Sequence, residues 1–429
     1  MTADRSRRAS RPSRASRGFT LVELIVSLTA GLLIAAAAFL LARNASTFFQ
    51  REAGITTAQF ASVVGMTRLQ ADLRRAAFMS SPRPDLDPLR CGDTGSWPQG
   101  LKDLAGVVIE EGSSVTRHGA DNTLNQDNGL NPDAIILGGS FSTTEQFAVD
   151  VLSSGTGGGL LLQLQDDGAM WRTRLAAQND AASLQAKMAT IFRVGGFIRI
   201  VDDEGRFGFG VVTGVDATGQ KVQISVAASP ALPTRNSEVV CGCQGFCTGA
   251  LVNPVSRVLY DLRRIDPTTY PTYAALYQKG YHDVASYHRG LPEVARTDLV
   301  RVELDAAGNE LVDTLELVAE YAVDMKFGVT AEVPQNPPTP VPLLERYPVG
   351  HATVYDLAAP IAAGGTPERI RAVQVRLSVR NADRDRDQDI TVTTPDGGLF
   401  RYSLGTDRGF ARMRTLVTDV ALSNQTRMP

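Results

Sequence analysis

The chain has 429 residues, of which 43% are hydrophobic and 21% are charged, and its formal net charge is −3. This composition excludes a wholly disordered chain, and the length is sufficient for two or three domains with hydrophobic cores. The near-neutral charge gives no general case for nucleic-acid binding, and four cysteines are too few for a disulfide scaffold.

The N-terminus differs sharply from this average. Residues 1–18 contain six arginines and one aspartate with almost no apolar side chains, so we expect them to be unstructured. Residues 19–41 form an apolar run with a single charge, Glu23, and as a helix they are long enough to cross a hydrocarbon core of about 30 Å. By the positive-inside rule, the arginines predict a cytoplasmic N-terminus, a single span, and a large domain outside the cytoplasm.

Three interpretations of this segment compete. A secretory signal peptide needs a short apolar region ending at small residues, such as those at 35–38, but the apolar run continues through Leu41. A plain signal anchor explains the length and the arginines but not Glu23, because a carboxylate in hydrocarbon is costly unless it is paired. The third interpretation rests on a resemblance.

The string Gly-Phe-Thr-Leu-Val-Glu at residues 18–23 resembles the class III signal of type IV pilins and type II secretion pseudopilins. The resemblance implies that a prepilin peptidase cuts after Gly18 and that the new N-terminal residue, Phe19, is N-methylated. It also implies that Glu23 pairs with the α-amino group of Phe19 of a neighbouring subunit, which would fix the register between subunits.

The helical pattern continues beyond the apolar run, and we expect one helix over 19–79 that stops at residues 80–82. Its second half is predicted to pack an apolar stripe on a globular domain. The predicted stripe consists of Phe60, Val63, Val64 and Leu73. The opposite, polar side carries Gln70, Asp72 and Arg75. Three glycines are candidates either for bending or for close packing: Gly31, Gly54 and Gly65.

The remaining chain reads mainly as antiparallel strands joined by tight turns, with residues 82–130 mostly loop. A first set of strands is predicted at 106–110, 133–137, 147–152, 159–164, 197–201, 208–215 and 221–227, with a short helix at 181–191. A second set is predicted at 255–264, 297–305, 311–316, 320–329, 369–380 and 415–423. In the strand near 369–380, alternating Val373, Val375, Leu377 and Val379 predict a half-buried strand.

Several strings are similar to the PilW family of minor pilins. These are residues 68–78 at the end of the helix, 298–305, 316–328, the arginine-rich strand near 371, and the closing strand that ends at 424–427. A type II secretion minor pseudopilin of the J kind has the same plan and is the nearest rival. The chain exceeds most members in length, and the extra residues lie between about 82 and 255.

The four cysteines have two interpretations, disulfide bonds or a zinc site. Disulfides persist outside the cytoplasm, and a ring between Cys241 and Cys243 would be strained. We therefore expect Cys91 to pair with either Cys241 or Cys243, and the remaining one to pair with Cys247. A zinc site built from the same four residues is the less favoured alternative, because of the compartment and the spacing.

No cofactor or metal site is predicted. The four histidines, His118, His282, His288 and His351, are scattered and form no catalytic signature. The loop at 381–389 alternates acid and base and lacks the glycine and closing glutamate of a calcium loop, so a solvated hairpin is expected. The tyrosine-rich stretch 270–287 reads either as a partner surface or as local packing.

These observations predict an α+β fold, with a long N-terminal helix packed on antiparallel sheet and an extra β-rich insert. The expected divisions are a removed leader (1–18), the helix (19–80, with 19–41 in the membrane or filament core), an insert (81–254) and a pilin-like domain (255–429). The resemblance implies the function of a non-enzymatic minor pilin that primes assembly of a type IV pilus at or near its tip. Its expected partners are other pilins, the prepilin peptidase, the inner-membrane assembly platform and a tip adhesin. The alternatives are a secretion pseudopilin and, in another class, a membrane-anchored binding protein or enzyme.

Overall fold

The computed structural model describes residues 20–155, 158–234, 243–277, 296–335, 342–382, 401–405 and 409–425. Contacts within the chain divide it into two units, Met1–Gly54 and Ile55–Pro429. The described part combines an N-terminal apolar helix with antiparallel sheets, so the predicted α+β class is confirmed.

The helices and strands occupy the following ranges. The helices are α1 (Leu21–Leu73), α2 (Gln99–Lys102), α3 (Ser113–Arg117), α4 (Gly119–Asp127), α5 (Gly168–Ala176), α6 (Ala181–Ile191) and α7 (Ala352–Leu357). The strands are β1 (Val107–Glu110), β2 (Ala134–Gly139), β3 (Phe147–Ser154), β4 (Leu160–Leu164), β5 (Phe197–Val201), β6 (Phe207–Thr218), β7 (Lys221–Val226), β8 (Leu251–Arg263), β9 (Asp298–Leu304), β10 (Glu310–Ala319), β11 (Ala322–Val333), β12 (Leu343–Tyr347), β13 (Ile370–Arg380), β14 (Arg401–Ser403) and β15 (Phe410–Ala421).

The C-terminal end of α1 lies earlier than the sequence predicts. The helix ends at Leu73, and turns follow through residue 79. Ala77 and Met79 adopt left-handed backbone conformations, with φ of 60° and 51°. Such residues cannot continue a right-handed helix, so the helix stops before the Ser-Ser-Pro sequence is reached.

The buried face of α1 in the second unit is not the predicted stripe. Phe60, Val63 and Val64 are 69%, 46% and 42% exposed, so of the predicted stripe only Leu73 is buried. The buried positions instead follow a helical period with several small residues: Ile55, Ala58, Ser62, Gly65, Met66, Leu69, Asp72 and Leu73. Small side chains on this face allow a close approach to the sheet.

Gly65 marks the closest point of that approach. A Cβ atom at this position would lie 2.8 Å from Cβ of Ala319 and 3.4 Å from a methyl group of Leu377. Of the two roles predicted for this glycine, close packing is therefore the one observed. At Gly31, by contrast, an added Cβ would meet nothing within 4 Å.

One sheet of the second unit has five antiparallel strands in the order β12-β11-β13-β15-β14. Its central strand β13 carries the predicted alternation, and Val373, Val375, Leu377 and Val379 are all buried. They share one core with the buried face of α1 and with side chains of β2 and β8. The helix therefore packs against both sheets of this unit.

The second sheet closes partly on itself. Strands β3, β4, β7, β6, β5 and β8 pair in that order, and β8 pairs again with β3, which forms a six-stranded antiparallel barrel. Phe147, Leu162, Ile224 and Met188 belong to its separate hydrophobic core, together with residues of α5 and α6. The extra β-rich part predicted from the sequence is thus a barrel.

Strand β8 belongs to two layers. Its first residues, from Leu251, pair with β3 and β5 in the barrel, whereas its later residues pair with β2 and β9. Strands from the ranges 81–254 and 255–429 therefore lie in one sheet. The domain boundary near residue 254 stays a prediction.

Candidate functional site

The N-terminal apolar segment is the first functional feature. Leu21–Ser46 is the one stretch of the described residues that is helical, long and apolar enough to cross a membrane. Every residue in it is exposed, including large aliphatic side chains all round the helix. A soluble helix would bury one face, so this segment requires a covering that its own unit does not supply.

The start of α1 is fixed by a reciprocal cap between Thr20 and Glu23. The Thr20 backbone N–H and hydroxyl donate to Oε2 of Glu23, both at 3.0 Å, and the Glu23 N–H donates to Oγ1 of Thr20 at 3.2 Å. This is the capping-box arrangement, in which residues three apart satisfy each other's free N–H groups. The sequence carries its Thr-x-x-Glu signature, from which the cap could have been predicted.

The cap gives Glu23 a local role in addition to the predicted one. Oε2 is engaged, whereas Oε1 accepts no hydrogen bond from any described residue. One carboxylate oxygen thus remains available to a cation from outside the chain. Gly18 and Phe19, the predicted cleavage and methylation residues, lie outside the described residues.

The comparison with family models identifies the same segment. The model of the prokaryotic N-terminal methylation motif matches residues 13–39. No curated protein and no solved structure matches the chain. The motif supports a type IV pilin-like class III signal, and with the apolar helix it fits a membrane-anchored protein with one span.

In the second unit, Asp72 joins the helix to the sheet. Its side chain is buried, and Oδ2 accepts from Nε of Arg301 at 2.7 Å and from the hydroxyl of Tyr260 at 2.8 Å. Oδ1 accepts from Nη1 of Arg68 at 2.8 Å. The sequence pattern predicts Asp72 on the polar side opposite the packing stripe, but Asp72 lies on the buried face, where two partners on β8 and β9 compensate its burial.

The network extends outward from Asp72. Arg68 forms a fork with Glu316 on β10, with both N···O distances at 2.9 Å, and this hydrogen bonding raises the pKa of Arg68. Burial, and next the nearby charge of Asp72, raise the pKa of Tyr260 well above its ordinary value. Tyr260 therefore stays a neutral hydrogen-bond donor at physiological pH.

Arg75 links the turn that follows the helix to the segment after β2. Its guanidinium donates to the carbonyl oxygens of Phe141, Ser140 and Thr143 at 2.9, 2.7 and 2.9 Å. Burial is the largest influence on Arg75 and lowers its pKa. Together, Asp72 and Arg75 attach the end of the helix and the turn after it to the β-rich part at several points.

The three described cysteines are disulfide-bonded. Cys91 is bonded to Cys243, with a Cα–Cα distance of 4.8 Å, which is one of the two pairings expected. Cys247 is also disulfide-bonded, and Cys241 lies outside the described residues. The zinc alternative is therefore wrong, since the thiols of Cys91 and Cys243 are oxidised. The bond ties the loop after the helix to the barrel core, in which Cys91 is buried.

A cluster that could suggest a metal already contains a cation, the guanidinium of Arg263. His118, Asp261 and Glu310 bring ligand atoms within 4.8 Å of one another. However, Nη1 of Arg263 lies 2.8 Å from both Glu310 carboxylate oxygens, and its Nε lies 3.5 Å from Asp261. A guanidinium already supplies the positive charge, so these residues form an ion-pair network.

The other sequence candidates have local roles or lie outside the described residues. Nδ1 of His351 accepts from the Thr353 N–H and caps α7. The hydroxyl groups of Tyr270 and Tyr273 bond to β10, which favours local packing for this end of the tyrosine-rich stretch. Outside the described residues lie His282, His288, Tyr281, Tyr287 and most of the acidic loop.

Proposed function

We propose that the protein is a minor pilin of the PilW type, which primes assembly of a type IV pilus and occupies a position at or near its tip. The observation that carries the proposal is the N-terminal methylation motif, which coincides with a helix that is apolar on all sides. The α+β head on the same helix is consistent with it. The role is structural, and neither catalysis nor a cofactor is part of it.

Maturation begins with cleavage after Gly18 by the prepilin peptidase and N-methylation of Phe19. Cleavage removes all six leader arginines, which until then hold the N-terminus in the cytoplasm. The head lies in the periplasm while the helix spans the inner membrane. On assembly, the helix moves from lipid into the filament core, where neighbouring apolar helices cover it.

Glu23 then selects the register of the incoming subunit. Thr20 satisfies one carboxylate oxygen, and the methylated α-amino group of a neighbour's N-terminal residue binds the other. In apolar surroundings a mispaired carboxylate is more costly than a good pair is stabilising, so only one register is favourable. The partners are other minor pilins, the major pilin, the assembly platform and a tip adhesin, and nucleic acid is not among them.

Intact mass spectrometry of protein extracted from membranes tests the maturation step. We expect a chain that begins at N-methylated Phe19 and lacks residues 1–18. A Gly18→Glu variant is expected to retain the leader. A wild-type chain that keeps its leader while working in a filament would overturn the proposal in favour of a plain membrane anchor.

The two roles of Glu23 can be separated by two variants. Glu23→Gln keeps a hydrogen-bond acceptor for the cap but removes the charge, whereas Thr20→Ala removes the two hydrogen bonds of the Thr20 hydroxyl and keeps the charge. We expect Glu23→Gln to be cleaved but absent from sheared pili, and Thr20→Ala to assemble. Glu52→Gln is the control for a glutamate outside the apolar segment. The reverse pattern would show that only capping matters. Co-purification with secretion components instead of pilus components would identify a pseudopilin.

A further inference from the structure

The edge strand β12 is unusually open. It pairs with β11 through five residue pairs, from Val333 opposite Leu343 to Val329 opposite Tyr347. Leu343, Leu344, Glu345 and Arg346 are all exposed, so neither face of the strand is covered. No hydrogen bond in the described part of the chain reaches the outer edge of its backbone.

The other three sheet edges among the described strands are covered. On β1, the Ile109 N–H donates to the carbonyl of Ala358 at 2.8 Å. On β10, the hydroxyl of Tyr273 donates to Leu315 and accepts from the Leu317 N–H. On β14, the Asn128 side chain donates to Ser403 O at 2.9 Å and accepts from Ser403 N at 2.7 Å. Covering an edge in this way prevents unwanted pairing, and no described residue covers β12 in this way.

We propose that β12 is a docking edge for an extended strand of a different protein, which adds a sixth strand to the five-stranded sheet. Main-chain hydrogen bonds along a free edge supply affinity, and side chains on alternate faces supply specificity. The inference goes beyond the proposed function and does not depend on it.

The side chains of β12 define the partner. Leu343, Glu345 and Tyr347 lie on the face of Ala331 and Val329, which are core residues. Arg346, on the other face, is already paired with Asp419 at 3.2 Å. Glu345 has only the Tyr347 hydroxyl as a partner among the described residues. A complementary strand therefore places a basic residue opposite Glu345 and an aliphatic residue opposite Leu343.

The same charge disfavours a second copy of this chain. When two Leu343–Tyr347 segments pair antiparallel along their full length, Glu345 of one copy lies directly opposite Glu345 of the other. Like charges directly opposite each other destabilise a strand pair. In this register, the edge therefore favours a foreign strand over a second copy of the chain.

A charge-swap experiment on the full-length protein in detergent tests the inference. The probe is a fluorescein-labelled peptide in which valine and threonine alternate and a central lysine replaces one valine, and binding is followed by fluorescence anisotropy. We expect saturable binding that Glu345→Lys weakens about tenfold, because an attractive cross-strand pair becomes repulsive. A peptide with central glutamate should restore binding to the variant. Glu204→Lys, on the turn between β5 and β6, is the control and should bind like wild type.

A second probe is independent of the folding of any variant. The same peptide with N-methylated backbone amides cannot pair along an edge and should not bind. Equal binding of the methylated peptide, no saturable binding of the parent, or no effect of Glu345→Lys would each overturn the proposal. A wild-type dimer that the parent peptide dissociates would overturn it in favour of a second copy.

Discussion

The two ends of α1 show how one helix can be stabilised in two different ways. Leu21–Ser46 exposes every side chain, and its own unit contributes no buried face. Residues 55–73 bury a regular face built partly from alanine, serine and glycine. The first stretch therefore needs a covering that its own unit does not supply, and the second depends on contacts within the chain. Large aliphatic side chains mark the first kind of surface and small ones the second.

The carboxylates of the two stretches differ in the same way. Glu23 bonds to Thr20, three residues away along the chain. Asp72 bonds to Arg301 and Tyr260, which are far away in sequence. Removing Glu23 should therefore affect association with other molecules, whereas removing Asp72 should affect the stability of the second unit itself.

Asp72→Ala is the strongest test of this difference. It leaves the Arg301 guanidinium buried without its main partner, so we expect the free energy of unfolding to fall by about 3–5 kcal/mol. Urea unfolding followed by tryptophan fluorescence measures it, because Trp97 and Trp171 both lie in the second unit. Glu316→Ala is the matched control, since that side chain is 42% exposed, and it should cost about 1 kcal/mol or less. Equal losses would mean that burial does not distinguish the two carboxylates.

Removal of the Cys91–Cys243 disulfide tests how much this bond contributes to the stability of the second unit. The bond closes a loop of 152 residues, so the double change to serine should destabilise the unit by about 2–4 kcal/mol. Urea unfolding under oxidising conditions compares it with wild type. Membrane insertion of the N-terminal segment should be unchanged, and a loss of insertion would contradict the separation of the two units.

Gly65→Leu and Gly31→Leu compare the two stretches directly. At Gly65 the new side chain collides with Ala319, so we expect the second unit to lose about 1–3 kcal/mol. At Gly31 an added Cβ meets nothing within 4 Å, and the unfolding of the second unit should not change. Thermal unfolding of both variants gives the melting temperature of the second unit in each. Similar melting temperatures would refute the close-packing role of Gly65.

Tyr260→Phe should give the smallest effect at neutral pH, about 1 kcal/mol, because Asp72 keeps its arginine partners. The pH dependence is more informative. Burial raises the pKa of Tyr260, so in wild type its contribution is fully present below about pH 10 and is lost as the pH rises further. Urea unfolding at pH 8 and at higher pH should show a shallower alkaline decline in the variant. An identical decline would mean that Tyr260 does not titrate as a buried phenol.

The sequence predicts the strands well but not their closure. Strand β5 and helix α6 match their predicted ranges, because alternating and helical apolar periods are local properties. The barrel depends on the second pairing of β8, which no local pattern encodes. Helix α4 lies where the sequence predicts mainly loop, because Gly119–Asp127 is polar. Its buried Asn122 donates to the carbonyl oxygen of Leu262, which is distant in sequence.

Only part of the candidate site, likewise, can be predicted from local sequence. The motif at its start is contiguous in sequence, so residues 18–23 were sufficient to identify it. The predicted stripe is wrong because large hydrophobic side chains do not mark the buried face here, and the close approach at Gly65 requires small residues. The partners of Asp72 come from β8 and β9, and only the folded sheet brings them to the helix.

The pairing of β8 both in the barrel and with β2 and β9 limits how the chain can be shortened. The strand β8 pairs with β5 in the barrel and with β2 in the rest of the sheet. The barrel therefore cannot be deleted as a separate domain. Excising the chain between α1 and β8 would strip hydrogen-bonding neighbours from both ends of that strand at once. A shortened variant must instead be cut within β8 and given a replacement neighbour.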